Sequence, residues 1–228
     1  MQSITEIIGS TDIYLVDQIM KGRYKPGDVV LDAGCGRGRN LHWFLYSGIA
    51  AYGVDQDADA IADVARRFEA VAGEHVVTGQ RAAAERQETA AGQHAVVGRH
   101  PSMAERFRVA GVDQIPYDSS QFDHVISSAV LHFARDTRHF HRMLEEMVRV
   151  LKPGGSLFIR MTSDIGIEDK VRLVGDGVYV IPDGSRRFLL TRALLAECMS
   201  KNGLSFLEPF KTVNVSDVRV MCTMVVTK

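Results

Sequence analysis

An acid and three glycines, Asp32, Gly34, Gly36 and Gly38, alternate through Val29-Val30-Leu31-Asp32-Ala33-Gly34-Cys35-Gly36-Arg37-Gly38-Arg39-Asn40. Glycines at this spacing admit positive φ and remove the Cβ atoms that would hold a ligand off the backbone. The apolar run before the acid is too short for a helix, and after the loop Leu41-His42-Trp43-Phe44-Leu45 turns to helical spacing. Strand, glycine loop and helix N-terminus make a cradle whose free N–H groups and positive dipole end favour an anionic group. A second acid, Asp55, closes the short run Ala51-Tyr52-Gly53-Val54. Two strands with a helix between them predict a β-α-β unit with parallel strands and a right-handed crossover.

The elements around this unit follow from periodicity and punctuation. Ser10-Thr11-Asp12 supplies N-cap chemistry, and Ile13, Val16, Ile19 and Met20 recur at helical spacing, so the sequence predicts a helix near 11–22 that carries Tyr14. Lys25-Pro26-Gly27-Asp28 is a turn into the first strand. Asp57 caps a helix whose stripe, Ile61, Val64, Ala65 and Phe68, fades near Val71. Residues 72–106 hold few large apolar side chains and are broken by Gly92, Gly98 and Pro101, which predicts an insertion or mobile connection, either a surface segment or a lid. Phe107–Ala110 reads as a weak third strand and Phe122–Ser127 as a stronger fourth.

Asp136 or Thr137 starts a helix in which Phe140, Met143, Leu144, Met147 and Leu151 share a face. Lys152-Pro153-Gly154-Gly155 ends it before a strand at Ser156–Ile159. Residues 163–190 read as irregular, with a turn at Pro182-Asp183-Gly184-Ser185. Thr191 caps a helix that closes at Gly203, and 204–227 alternates, with Val218, Val220, Cys222, Met224 and Val226 on one side, as a final antiparallel pair would.

Composition restricts the class. The chain has 228 residues, 46% hydrophobic and 24% charged, with a net charge of -1, which predicts a single domain over 1–228 and gives no global attraction to nucleic acid or anionic membrane. No apolar run approaches the length of a membrane span, and Met1–Glu6 lack the basic and apolar regions of a signal peptide, so the expected location is the cytoplasm. Cys35, Cys198 and Cys222 are odd in number and far apart, which suggests neither a disulfide framework nor a zinc site. His139 and His141, two apart on a helix, point to different faces and do not suggest a shared metal. Cys35 reads as a small residue fitted to a tight loop, with no base partner to make it a nucleophile.

Five signals in register carry a resemblance: Leu31–Gly38, then Gly53-Val54-Asp55, then Ile115-Pro116-Tyr117 with Phe122-Asp123, then Leu131-His132-Phe133, then Arg149-Val150-Leu151-Lys152-Pro153-Gly154-Gly155. Over nearly the whole chain the sequence resembles the class I S-adenosylmethionine-dependent methyltransferases. Tyr14–Gln18 and Gly38–Leu41 look most like bacterial small-molecule members, including those similar to tellurite-resistance methyltransferases. The resemblance implies a Rossmann-like α/β fold: a seven-stranded, mostly parallel sheet flanked by helices, its last strand antiparallel. S-adenosylmethionine, with S-adenosylhomocysteine as product, would lie across the carboxyl ends of the strands at the topological switch point.

The same resemblance assigns roles. Backbone amides at Gly34, Cys35 and Gly36 would approach the methionine part, with Asp32 toward its ammonium group. Asp55 would accept from both ribose hydroxyls. Gln56 would flank the adenine. The family often has Asp where this chain has Gly111, which leaves the Val112 amide and the Asp113 side chain for the adenine amino group. Ser127 or Ser128 would leave the fourth strand beside the methyl group, and Tyr14 would close over the cation or simply pack. For a hydroxyl or protonated amine acceptor, His132 is the candidate base; its alternative is a packing histidine. A thiolate, halide or reduced chalcogen would need no base. The expected partner is therefore a small-molecule acceptor, with the N-terminal helix and 163–190 shaping its pocket. Arg186, Arg187 and Tyr179 are available there for a polar or anionic substrate, or stand as surface charge. Two alternatives compete: an NAD-dependent oxidoreductase, although Asn40 replaces a glycine its fingerprint wants, and a non-catalytic S-adenosylmethionine-binding module.

Overall fold

The computed structural model describes residues 3–70 and 102–228. The chain opens with α1 (Ile4–Ile8) and α2 (Ile13–Met20), then β1 (Val29–Ala33), a 3₁₀ turn (Arg39–Leu41), α3 (His42–Ser47), β2 (Ala50–Asp55) and α4 (58–70). After the undescribed stretch come α5 (Met103–Arg106), β3 (Phe107–Val109), β4 (Phe122–Ser128), a second 3₁₀ turn (Leu131–Phe133), α6 (Thr137–Val150) and β5 (Leu151–Ser163). The remainder is β6 (Arg172–Leu173), β7 (Val178–Val180), β8 (Arg186–Phe188), α7 (Arg192–Lys201), β9 (Ser205–Phe206), β10 (Lys211–Val215) and β11 (Arg219–Thr227).

The main sheet runs β10-β11-β5-β4-β1-β2-β3. Its strands from β3 to β5 are parallel, while β11 lies antiparallel to β5, and β10 and β9 lie antiparallel to β11 along one edge. The sheet therefore has eight strands rather than the expected seven. The extra one, β9, is two residues long and pairs only with Val226 and Thr227, too short to leave a periodic signal. Strand order reverses between β1 and β4, where the carboxyl ends of neighbouring strands diverge and leave a crevice.

Both faces of the sheet are covered, as parallel strands require. On one face Leu31, Ala33, Val125, Leu157 and Ile159 pack against Phe140, Met143, Leu144 and Met147 of α6. On the other, Val30, Ile126 and Phe158 meet Leu15 of α2, Phe44 of α3 and Ile61, Val64 and Phe68 of α4. Each such buried side chain contributes roughly 1.5–3 kcal/mol relative to exposure. Asp57 caps α4 as expected, its carboxylate accepting from the amides of Asp59 (3.0 Å) and Ala60 (3.1 Å).

Three local expectations are corrected. Residues 163–190, expected to be irregular, include a small antiparallel sheet, β6-β7-β8. Its strands are too short and too charged to read as strands alone. The helix after the glycine loop begins only at His42, after a 3₁₀ turn, and is six residues long, so its dipole is a minor part of the cradle. Val218 belongs to the turn at Ser216-Asp217, whose φ values are 50° and 58°, while β11 is buried on both faces, Cys222, Met224 and Val226 in one hydrophobic cluster and Val225 in the other. The candidate insertion at 72–106 lies outside the described residues except for 102–106, where Ser102 and Glu105 form a capping box for α5.

Candidate active site

The glycine loop is fastened to the end of β2. The amides of Gly34 and Cys35 both donate to the Val54 carbonyl, at 2.9 and 3.0 Å. The amide of Gly36 donates to the Asp55 carboxylate at 2.8 Å. In the structure the donors of all three amides, expected to approach a ligand, are used within the protein. Gly34, at φ 83°, is also a close approach, since a Cβ there would stand 2.5 Å from Cγ2 of Val130. Gly36, at φ 50°, faces open space.

A cavity of about 460 Å³ opens at the carboxyl ends of the parallel strands. Of the residues singled out from the sequence, Gly34, Asp55, Gln56, Val112 and Asp113 line it. Asp55 is held there by two amides, that of Gly36 and that of Asp57 (3.0 Å), so its orientation is set before any ligand arrives. Where the resembled family has an acid, a side chain on Gly111 would meet Oδ1 of Asp113 at 2.6 Å, so Asp113 fills that space. Its carboxylate lies 3.6 Å from Nε2 of His139 and from the Arg142 guanidinium. On the far wall Ala129 sits at φ 64°, an unfavourable conformation for a residue with a Cβ, immediately after β4.

Asp32, one residue before the end of β1, does not line the cavity. It is 1% exposed, and neither carboxylate oxygen has a hydrogen-bond partner. Burial pushes its carboxyl up to about 7, against the pull of Arg39 and with a further push from Asp55. An unpartnered buried carboxyl is costly unless a ligand satisfies it. Ser127 is likewise buried with an unpartnered hydroxyl.

The other expected residues lie outside the cavity wall. Cys35 is buried against Gly53, where a Cβ would come within 2.8 Å of its sulfur, and burial raises its thiol far above the ordinary range, which agrees with a packing role. Ser128 donates to Asp12 (3.1 Å) and accepts from Arg39 (3.1 Å). The half-buried Tyr14 ring carries the Arg160 guanidinium 5.0 Å from its centroid. His132 is 7% exposed beneath the Leu131–Phe133 turn; burial, with Arg187 and Arg219, pushes it down to about 4. The structure does not bring it into the cavity.

Sequence reading missed Asp12, Arg39 and Arg160 as a group. Asp12 caps α2 but is also 4% exposed and takes a 2.5 Å ion pair from Arg160 on β5. An N-cap signal was legible; a partner 148 positions away was not. Phe133, Arg135, His139 and Met143 also line the cavity. As expected from their spacing, His139 and His141 diverge: the second faces Glu197 of α7, at 3.2 Å.

These features suit a ligand with a cation for Asp32, hydroxyl donors for Asp55 and a flat group between Gln56 and Val112. Comparison with known proteins points the same way. The family model described as a methyltransferase domain matches residues 31–157. No curated protein sequence matches the chain. Among solved structures, the chain is similar to the Burkholderia thailandensis 1,6-didemethyltoxoflavin-N1-methyltransferase, solved with 1,6-didemethyltoxoflavin and S-adenosylhomocysteine, at 19% identity and a TM-score of 0.62, over 96% of this chain and 78% of that one. An S-adenosylmethionine-dependent methyltransferase from Methanosarcina mazei gives 16% identity and a TM-score of 0.59, over 92% and 96%. A possible histamine N-methyltransferase from Thermotoga maritima gives 15% and 0.54, over 98% and 92%. At these identities the structures show a shared fold, and none bears on the tellurite-resistance-like subtype.

Proposed function

The chain belongs to the S-adenosylmethionine-dependent methyltransferases, and on that premise we propose that it methylates a small-molecule acceptor by in-line displacement. The observation that carries the reading is Asp55: a strand-end carboxylate on the cavity wall, pre-oriented by the Gly36 and Asp57 amides, with lone pairs left for a ribose. When bound, S-adenosylmethionine supplies an electrophilic methyl group on a sulfonium. Asp32 fits the cofactor's ammonium, because its buried oxygens otherwise have no partner. Gln56, Val112 and Asp113 fit the adenine, and Asp113 is kept near the cavity by His139 and Arg142.

The protein's contribution is orientation and exclusion of water. Holding donor and acceptor in line can lower a barrier by roughly 7–11 kcal/mol at the extreme, without a covalent enzyme intermediate. Asp12, Arg160 and Ser128 tie the N-terminal α2 over the ends of β4 and β5, where an acceptor would enter. His132 fits packing better than proton abstraction, since it is buried outside the cavity lining and, pushed down to about 4, is a weak base.

The test is calorimetric titration of S-adenosylmethionine, S-adenosylhomocysteine and NAD into the intact protein and Asp55→Ala, followed by a turnover screen. Saturable binding of the first two, weakened in the variant, with turnover of a hydroxyl, amine, thiol or halide compound is expected. Binding of NAD alone would replace the reading by hydride transfer, and tight cofactor binding without turnover would favour a binding module.

A further inference from the structure

Phe133 is 61% exposed although it follows two buried residues, Leu131 and His132, and lines the cavity. The Arg187 guanidinium carbon stands 5.2 Å from the centre of its ring. We propose that the methyl acceptor is a flat, anionic molecule, its ring against Phe133 and its carboxylate or phosphate on Arg187 and Arg135. The inference rests on the methyl-transfer reading and adds the chemical class of the acceptor.

Position along the sheet separates this corner from the cofactor's expected place. Asp55 ends β2 and Asp113 follows β3, whereas Phe133 follows β4, on the side toward β5 and the β6-β7-β8 sheet. Arg187 is held in that corner by its neighbour: Phe188 is 1% exposed and stacks on Phe140 of α6, with ring centres 4.8 Å apart and planes 14° apart. Among the described residues the guanidinium donates one hydrogen bond, to the Arg186 carbonyl at 2.7 Å, which leaves most of its donors over. Among the described residues, no carboxylate forms an ion pair with Arg187 or with Arg135; Arg135 lines the cavity together with Phe133, whereas Arg187 does not line it and stands at the Phe133 ring. Asp113, the acid on the cofactor side of the cavity, is already paired with Arg142 at 3.6 Å.

Two guanidinium groups without an ion-paired carboxylate, Arg187 with only the more distant Asp183 acting on it, form a recognisable pattern beside an exposed phenyl ring. A guanidinium binds carboxylate or phosphate through paired N–H donors, and an aromatic face accepts a flat ring by offset stacking. A cationic acceptor would meet both arginines at close range, and a bulky aliphatic one would leave the ring unmatched.

A methyl-transfer screen of the intact protein tests this with matched trios of flat aromatic compounds. Members of a trio share the same hydroxyl or amine acceptor and differ only in a carboxylate, a carboxamide or an aminomethyl group. Release of S-adenosylhomocysteine reports turnover, and calorimetric S-adenosylhomocysteine binding is measured on the same samples. The carboxylate member is expected to show kcat/KM about tenfold or more above its carboxamide. Arg187→Gln is expected to erase that preference while S-adenosylhomocysteine affinity stays within about twofold, and Arg187→Lys to restore part of it. Preference for carboxamide or amine, turnover of no trio, or a preference that survives Arg187→Gln overturns the proposal. So does weakened S-adenosylhomocysteine binding in Arg187→Gln, which would give the arginine to the cofactor. Failure of the wild type to bind S-adenosylhomocysteine would instead remove the methyl-transfer reading, and this inference with it.

Discussion

The Gly36 amide donates to the Asp55 carboxylate at 2.8 Å, so the loop after β1 and the acid ending β2 form one unit across 19 positions of sequence. The acid both shapes the loop and stands on the cavity wall. Removing it therefore takes away a ligand contact and loosens the loop that borders it.

Asp55→Ala is expected to raise the dissociation constant for S-adenosylhomocysteine by roughly tenfold to a hundredfold, as loss of charge-assisted hydrogen bonds would. Asp55→Asn, which keeps one acceptor oxygen, should fall between. Isothermal titration calorimetry checks this, and an affinity unchanged in Asp55→Ala would take the ribose contact away from this residue.

Gly34 and Gly36 make a controlled pair. Both have positive φ, but only at Gly34 does an added Cβ run into Val130. Gly36→Ala should cost about 1–2 kcal/mol of stability from backbone strain alone. Gly34→Ala should cost about 2–4 kcal/mol, with part of the difference returned by adding Val130→Ala. Urea unfolding measures all three, and equal losses at the two glycines would refute the close approach.

The buried Asp32 makes both stability and binding depend on pH. Its carboxyl is pushed up to about 7, chiefly by burial, from an ordinary value of about 4. Because the folded-state value is the higher one, its contribution to stability is full below about pH 4 and is lost as the pH rises through about 7. The ligand-free protein should therefore lose melting temperature relative to Asp32→Asn as the pH rises from about 5 to about 8. A cation bound beside Asp32 favours the ionised form, so S-adenosylhomocysteine affinity should rise about tenfold between about pH 6 and pH 8, and Asp32→Asn should flatten that rise. Parallel pH profiles for the two proteins would contradict both expectations.

Asp12 anchors the N-terminal helices through a part-buried charge pair, its own carboxylate buried and Arg160 partly exposed. Asp12→Ala removes the α2 cap and leaves Arg160 without its 2.5 Å partner, which should destabilise by about 3–5 kcal/mol. In a protein of this size that is a fall in melting temperature on the order of 10 °C. Asp12→Asn, which still caps and accepts, should lose less. Differential scanning calorimetry decides, and an exposed-residue response of a few tenths of a kcal/mol would show that the pair contributes little.

Much of the parallel half of the sheet was legible from the chain. Val29–Ala33 and Ala50–Asp55 are bounded by glycines and acids, and the stripe Phe140, Met143, Leu144 and Met147 has one period only a helix satisfies. The glycine loop and Asp55 could be named from their place at strand ends, which converge on one edge in parallel strands, whereas Gln56, Val112 and Asp113 could be named only through the family resemblance. The small β6-β7-β8 sheet and β9 could not be read, since strands of two or three residues carry no period and depend on partners for their shape.

What local pattern determined was thus the order of strands and helices, and which strand ends carry chemistry. Tertiary structure alone decided how those groups are used. It turned the Gly34, Cys35 and Gly36 amides inward, left Asp32 buried without a partner, drew Asp12 to Arg160 and set Phe133 beneath Arg187. The reason is physical: periodicity and capping act over a few residues, whereas burial, desolvation and charge pairing depend on which distant surfaces meet when the sheet closes under its helices.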